Sequence, residues 1–79
     1  MDKDRQEQKK FLEEQLHWCK EQDRILEEME SRLREMKRVA EYALEQELTS
    51  AEINELDGRL NELKKEVHFL EEQLHSVVH

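Results

Sequence analysis

Residues 48–53 read Leu48-Thr49-Ser50-Ala51-Glu52-Ile53. The Thr49 hydroxyl can cap a new helix, and Glu52, three residues on, can bond back to the backbone N–H of the cap. Leu48 before the cap and Ile53 at the fourth helical position supply a hydrophobic staple. The apolar spacing changes phase at the same place. Upstream, Leu26, Met29, Leu33, Met36, Ala40 and Ala43 are separated by 3, 4, 3, 4 and 3 residues, the stripe of a helix buried along one seam. Downstream, Ile53, Leu56, Leu60, Leu63, Val67, Leu70, Leu74 and Val77 alternate in the same way. Extending the first frame puts Glu47, Ser50 and Asn54 in the seam, where the second frame needs Gln46, Thr49 and Ile53. Capping box, staple and phase slip coincide. They predict one helix over about 4–46, opened by Asp4 with Glu7 three residues on, a turn over about 47–49, and a second helix over about 50–78. Gly58 falls on the outer face of the second helix, where it costs about 1 kcal/mol against alanine without ending it.

Composition limits what such a chain can be. It has 79 residues, 43% charged and 35% hydrophobic, with one glycine, no proline and one cysteine. That is one domain, 1–79, with too little apolar material for a wide core. Small domains rely on disulfides, metal or association. A lone cysteine forms no internal disulfide and points to a reducing, cytoplasmic setting. No apolar run approaches the ~18 residues of a membrane span, and no signal-peptide pattern follows Met1. A net charge of −8 repels nucleic acid and anionic lipid. The high charge suits disorder as well, but the 3–4 spacing held within each of the two runs, over roughly 50 residues in all, argues for helix.

Charges then choose the pairing. In a parallel in-register homodimer each flanking residue meets the one five positions on in its partner. Arg32–Lys37, Glu52–Asp57, Arg59–Lys64 and Glu66–Glu71 are all like-charged. Folded back with the turn centred on residue 48, opposed residues add up to 96. Ala43 then faces Ile53, Ala40 Leu56, Met36 Leu60, Leu33 Leu63, Met29 Val67 and Leu26 Leu70. In this register Lys37 meets Asp57, Glu30 meets Lys64 and Arg32 meets Glu66, and only Asp23–Glu71 repels. The expected fold is therefore all-α, an antiparallel two-helix coiled-coil hairpin that dimerises into a four-helix bundle. The alternative is a long antiparallel or heteromeric coiled coil, since two copies of the second helix also pair Arg59 with Glu66 and Asp57 with Lys64.

A hairpin of these lengths leaves residues 1–17 of the first helix as an overhang of about 20 Å. The overhang carries Phe11, Leu12 and Leu16, and a further apolar stripe at seven- and fourteen-residue steps runs through Phe11, Trp18, Ile25 and Val39. An apolar stripe that a two-helix hairpin cannot cover marks a protein interface. The expected interface residues are Phe11, Leu12, Leu16, Trp18, Ile25 and Val39, with a second copy or a helix of another protein as partner. Cys19 sits on the first-helix seam and is expected to be buried. His68, His75 and His79 cluster near the end of the second helix. His75 and His79, four apart with Glu71 one turn earlier, are the weak candidates for a metal, although a solvated polar face explains them better. His17 beside Trp18 reads as a surface residue. No nucleophile–base pair, glycine-rich phosphate loop or basic stripe is present, so no catalytic residue, cofactor, small-molecule substrate, membrane or nucleic acid is expected.

The turn and second helix carry a resemblance. Leu48-Thr49-Ser50-Ala51-Glu52-Ile53, followed by Leu56, Leu60 and Leu63, resembles the small sporulation stage-0 regulators of spore-forming bacilli. Those are short helical hairpins that dephosphorylate the aspartyl phosphate of a response regulator. The resemblance covers about 20 residues of capping and leucine spacing and implies a hairpin. The signature of that family, Ser-Gln-Glu-Leu-Asp, aligns with Asp57-Gly58-Arg59-Leu60-Asn61, where only the leucine is kept and Asn61 stands for the functional aspartate. A carboxamide cannot supply carboxylate chemistry.

The sequence thus reads as a non-catalytic, cytoplasmic protein–protein interaction or regulatory module. A coiled-coil oligomerisation or scaffold segment is the second reading, and a phosphatase-like effector of a response regulator the third. Met1 followed at once by a helix start favours a complete protein over a scaffold fragment.

Overall fold

The computed structural model describes residues 2–77 and the side chains of residues 2–74. Helix α1 spans Asp2–Glu45 and helix α2 spans Ser50–Val77, packed against each other as an all-α hairpin with no strand among the described residues. The expected boundaries hold to within two residues, and the end of the expected second helix, residue 78, lies outside the described residues. At 1.5 Å per residue the 44 residues of α1 extend about 66 Å, which sets the long axis of a body measuring 71 × 19 × 11 Å.

The turn follows from its local chemistry. Ile53 N donates to Thr49 O at 3.0 Å, the first bond of α2, so Thr49 is the cap. Glu52 N donates to Thr49 Oγ1 at 3.2 Å, and Thr49 N donates to Glu52 Oε1 at 3.3 Å, which closes both halves of the capping box. Glu52 also places a carboxylate at the positive end of the α2 dipole. The staple is less complete, because Leu48 is half-buried while Ile53 stays exposed. No described residue has a positive φ, so the reversal is made without a left-handed residue, in keeping with a sequence that has no glycine there.

On α2 the seam is the expected one. Leu63 is fully buried, Leu70 is buried, and Leu56, Leu60, Val67 and Leu74 are half-buried. On α1 the seam differs from expectation by one residue in every second position. Met29, Met36 and Ala43 face α2 as expected, but the residues between them are Ile25, Arg32 and Val39 rather than Leu26, Leu33 and Ala40. Ile25 is 2% exposed, whereas Leu26 and Leu33 are 48% and 50% exposed. The charges account for the rotation. Turned this way, Arg32 lies in the seam and its Nε reaches Glu66 Oε2 at 3.3 Å, and Glu35 comes within 2.5 Å of Arg59. The residue numbers of these two cross-helix pairs add up to 98 and 94, either side of the expected 96.

The same rotation carries residues 30 and 37 away from α2. The expected pairs Glu30–Lys64 and Lys37–Asp57 are not formed among the described residues. Glu30 instead accepts from Arg34 at 2.6 Å, and Lys37 lies 3.9 Å from Glu41.

Candidate interaction surface

Every residue from 2 to 20 of α1 is exposed, and burial begins only at Glu21 and Gln22. The expected overhang of residues 1–17 is therefore a longer arm of the helix, about 28 Å at 1.5 Å per residue. Helix persists there without packing because the segment has no glycine or proline and begins with Asp2 and Asp4 at the positive end of the helix dipole. Lys9 and Glu13, one turn apart at 3.9 Å, add a weak exposed pair. The arm carries Phe11 at 58%, Leu12 at 65% and Leu16 at 56% exposure, with Trp18 at 38%. Shallow apolar grooves run on both sides of Leu12, one lined by Gln8 and Phe11 and the other by Arg5, Gln8 and Leu16.

Helix geometry relates the arm to the hairpin. Phe11, Trp18, Ile25, Arg32 and Val39 recur every seven residues and form one column along α1. From Ile25 onward that column faces α2, while Phe11 and Trp18 before it are exposed. The stripe expected to be wholly uncovered is thus half covered. Ile25 is core and Val39 is half-buried, so neither offers the exposed interface expected of it. The physical reason is that a column with one arginine in it can still be a seam, provided that the guanidinium emerges at the edge to meet a carboxylate, as Arg32 does with Glu66.

A second column, one residue on, consists of Leu12, Cys19, Leu26, Leu33 and Ala40. All but the half-buried Ala40 are exposed, and Cys19, expected to be buried, lies in the open. The shorter gaps alone do not reveal the exposure of Leu26 and Leu33. The signal that identifies them is the presence of two seven-residue columns side by side, of which one α2 can cover only one.

A third column is acidic. Glu7, Glu14, Glu21, Glu28 and Glu35 also recur every seven residues, on the flank of the seam opposite Leu12 and Leu26. Their environments differ along the helix. Arg59 of α2 donates Nη2–H to Glu35 and holds that carboxyl below its ordinary pKa, while Glu35 raises the pKa of the guanidinium. Arg24 bonds both Glu21, at 3.3 Å, and Glu28, at 2.9 Å, and these two carboxylates raise its pKa. Glu7 and Glu14, on the arm, have no ion pair among the described residues.

Elsewhere the surface is less organised. His68 Nδ1 lies 3.7 Å from Glu71 Oε2 on an exposed face. The side chains of His75 and His79 lie outside the described residues, and no group of three or more metal-ligating side chains comes together among the described ones. Phe69 is exposed beside a groove lined by Glu28, Arg32 and Lys65. Among the described residues no helix is long and apolar enough to cross a membrane. The sequence matches no protein-family model, and no curated protein or solved structure is significantly similar to it.

Proposed function

We propose that this chain is a non-catalytic protein-interaction module of a reducing, cytoplasmic compartment whose working surface is the N-terminal arm of α1. The observation that carries this reading is that residues 2–20 form an exposed helix bearing Phe11 on the continuation of a packed column, with Leu12 and Leu16 exposed beside it. A helix with an exposed apolar face is the complement of another helix. The sequence resemblance to phosphatase regulators adds no catalytic role here, since Asn61 stands exposed where their aspartate lies. Placing a photo-crosslinking side chain at position 12, and at Asn61 as a control, tests the reading in the producing cells. Discrete adducts are expected from position 12 and not from 61. Equal labelling at both positions, or none at 12, overturns it.

A second reading, self-association as a structural element, is favoured by the exposed pair Leu26 and Leu33 alongside α2. A second hairpin laid on that column makes a four-helix bundle. Light scattering that finds a clean monomer at tens of micromolar removes it.

A further inference from the structure

The arm has three sides, and each constrains what can lie on it. Its centre continues one of the two seam columns with apolar residues, since Phe11 and Trp18 occupy the column that Ile25 and Val39 present to α2, whereas Gln8 and Gln15 stand in the column of Met29 and Met36. An occupant of this column sits as a helix with its own apolar stripe, on the N-terminal side of the packed part of α1. One flank is formed by Arg5, Leu12 and Cys19, all exposed. The other flank is the glutamate column, in which Glu7 and Glu14 have no ion pair among the described residues. In the hairpin the same column is answered by an arginine of the packing helix, Arg59 against Glu35.

Charge disfavours the arm of a second copy on the same seam. In an antiparallel pair, flanking residues of one kind face their counterparts in the partner, and the arm would set glutamate against glutamate in every register. In a parallel pair Glu7 and Glu14 would face Leu12 and Cys19, which offer no compensation. The chain as a whole carries −8. The arm itself holds as many bases as acids, with Lys3 and Lys10 one turn from Glu7 and Glu14, so the discrimination lies in where the carboxylates stand and not in the total.

We propose that the arm is the docking site for an amphipathic helix of a different protein whose apolar seam is flanked by lysine or arginine at seven-residue intervals. This rests on the arm being the working surface and specifies the chemistry of its partner.

The test uses the full chain and two synthetic helical peptides with the same leucine seam, one flanked by lysine and the other by glutamate. Trp18, the single tryptophan of the chain, lies on the arm column and reports binding by its fluorescence. The lysine peptide is expected to bind at least about tenfold more tightly than the glutamate peptide. Glu7→Lys with Glu14→Lys is expected to reverse that preference. Glu45→Lys with Glu55→Lys, at the turn end, removes the same amount of charge and is expected to leave it unchanged. All these positions are exposed, so circular dichroism should show each variant as helical as the parent. Equal binding of both peptides overturns the charge assignment while leaving the arm as the interaction surface. Equal loss in the two variant pairs shows attraction to net charge alone and overturns it too. If neither peptide binds, the proposal fails, and crosslinking from position 12 decides separately whether the arm binds a partner of other chemistry. Self-association that is abolished by Phe11→Ser but insensitive to Glu7→Lys assigns the arm to a second copy and overturns the proposal as well.

Discussion

Arg59 on α2 and Glu35 on α1 lie 24 residues apart in sequence and meet with Nη2 and Oε1 2.5 Å apart. Arg32 on α1 reaches back to Glu66 on α2 at 3.3 Å. Each helix thus gives one arginine and receives one, and the two contacts fix both the rotation of α1 and its register against α2. Because the groups are partly exposed, their value lies in specificity more than in stability. Sliding α2 by one heptad parts both pairs at once.

Glu35 supplies a pH-dependent test. Its pKa is lowered chiefly by the hydrogen bond from Arg59, so its contribution is present above the unfolded-state pKa and is lost as pH falls through the folded one. Glu35→Gln should lower the midpoint of thermal unfolding near neutral pH. The difference between wild type and variant should shrink in acid, below the ordinary carboxylate range, as the wild-type group protonates. A difference independent of pH from neutral to acid contradicts this account.

Leu63 and Leu33 should behave very differently although both are leucines at regular 3–4 spacing. Leu63 is 0% exposed and Leu33 half-exposed. Leu63→Ala should cost about 2–3 kcal/mol and Leu33→Ala less than about 1 kcal/mol, measured by chemical denaturation. Comparable losses at the two sites would mean that α1 turns its other apolar column to α2.

Gln22 is the one buried polar side chain among the described residues, and its Nε2 has no hydrogen-bond partner among them. A buried donor left unpaired costs free energy that an apolar side chain of similar size does not. Gln22→Leu should raise stability by about 1 kcal/mol. An unchanged or lower denaturation midpoint would show that the carboxamide is satisfied in solution.

At the other end of the hairpin, Thr49→Ala removes the cap hydroxyl and should cost about 1 kcal/mol. Gly58→Ala should return a similar amount, because the site is exposed and an added Cβ meets nothing within 4 Å. Both are read by thermal melts, and the double variant should lie close to the parent, since the two sites are independent.

What the sequence revealed and what it withheld differ for a physical reason. The turn was legible because a capping box is local chemistry: Thr49 and Glu52 find each other whatever the rest of the chain does. The α2 seam was legible because that helix has one apolar column pair and so one way to face a partner. On α1 the sequence offered two solutions, Leu26 and Leu33 or Ile25 and Val39, flanking the same methionines. Hydrophobicity favours the leucines, and only the three-dimensional reach of Arg32 and Arg59 decides for the other. Of the expected surface, Phe11, Leu12, Leu16 and Trp18 are exposed, while Ile25 and Val39 belong to the hairpin.

The arm has a thermodynamic consequence of its own. An exposed helical segment of this length is marginal in water, held chiefly by propensity and by its covalent continuity with the packed part of α1. Any partner that closes on it therefore also shifts a helix–coil equilibrium, and its apparent affinity includes the work of suppressing fraying. Substitutions on the outer face of the arm that never touch the partner, Gln6→Gly in one direction or His17→Ala in the other, should accordingly weaken or strengthen binding. They make the stiffness of the arm a control on recognition that is separate from the recognising surface.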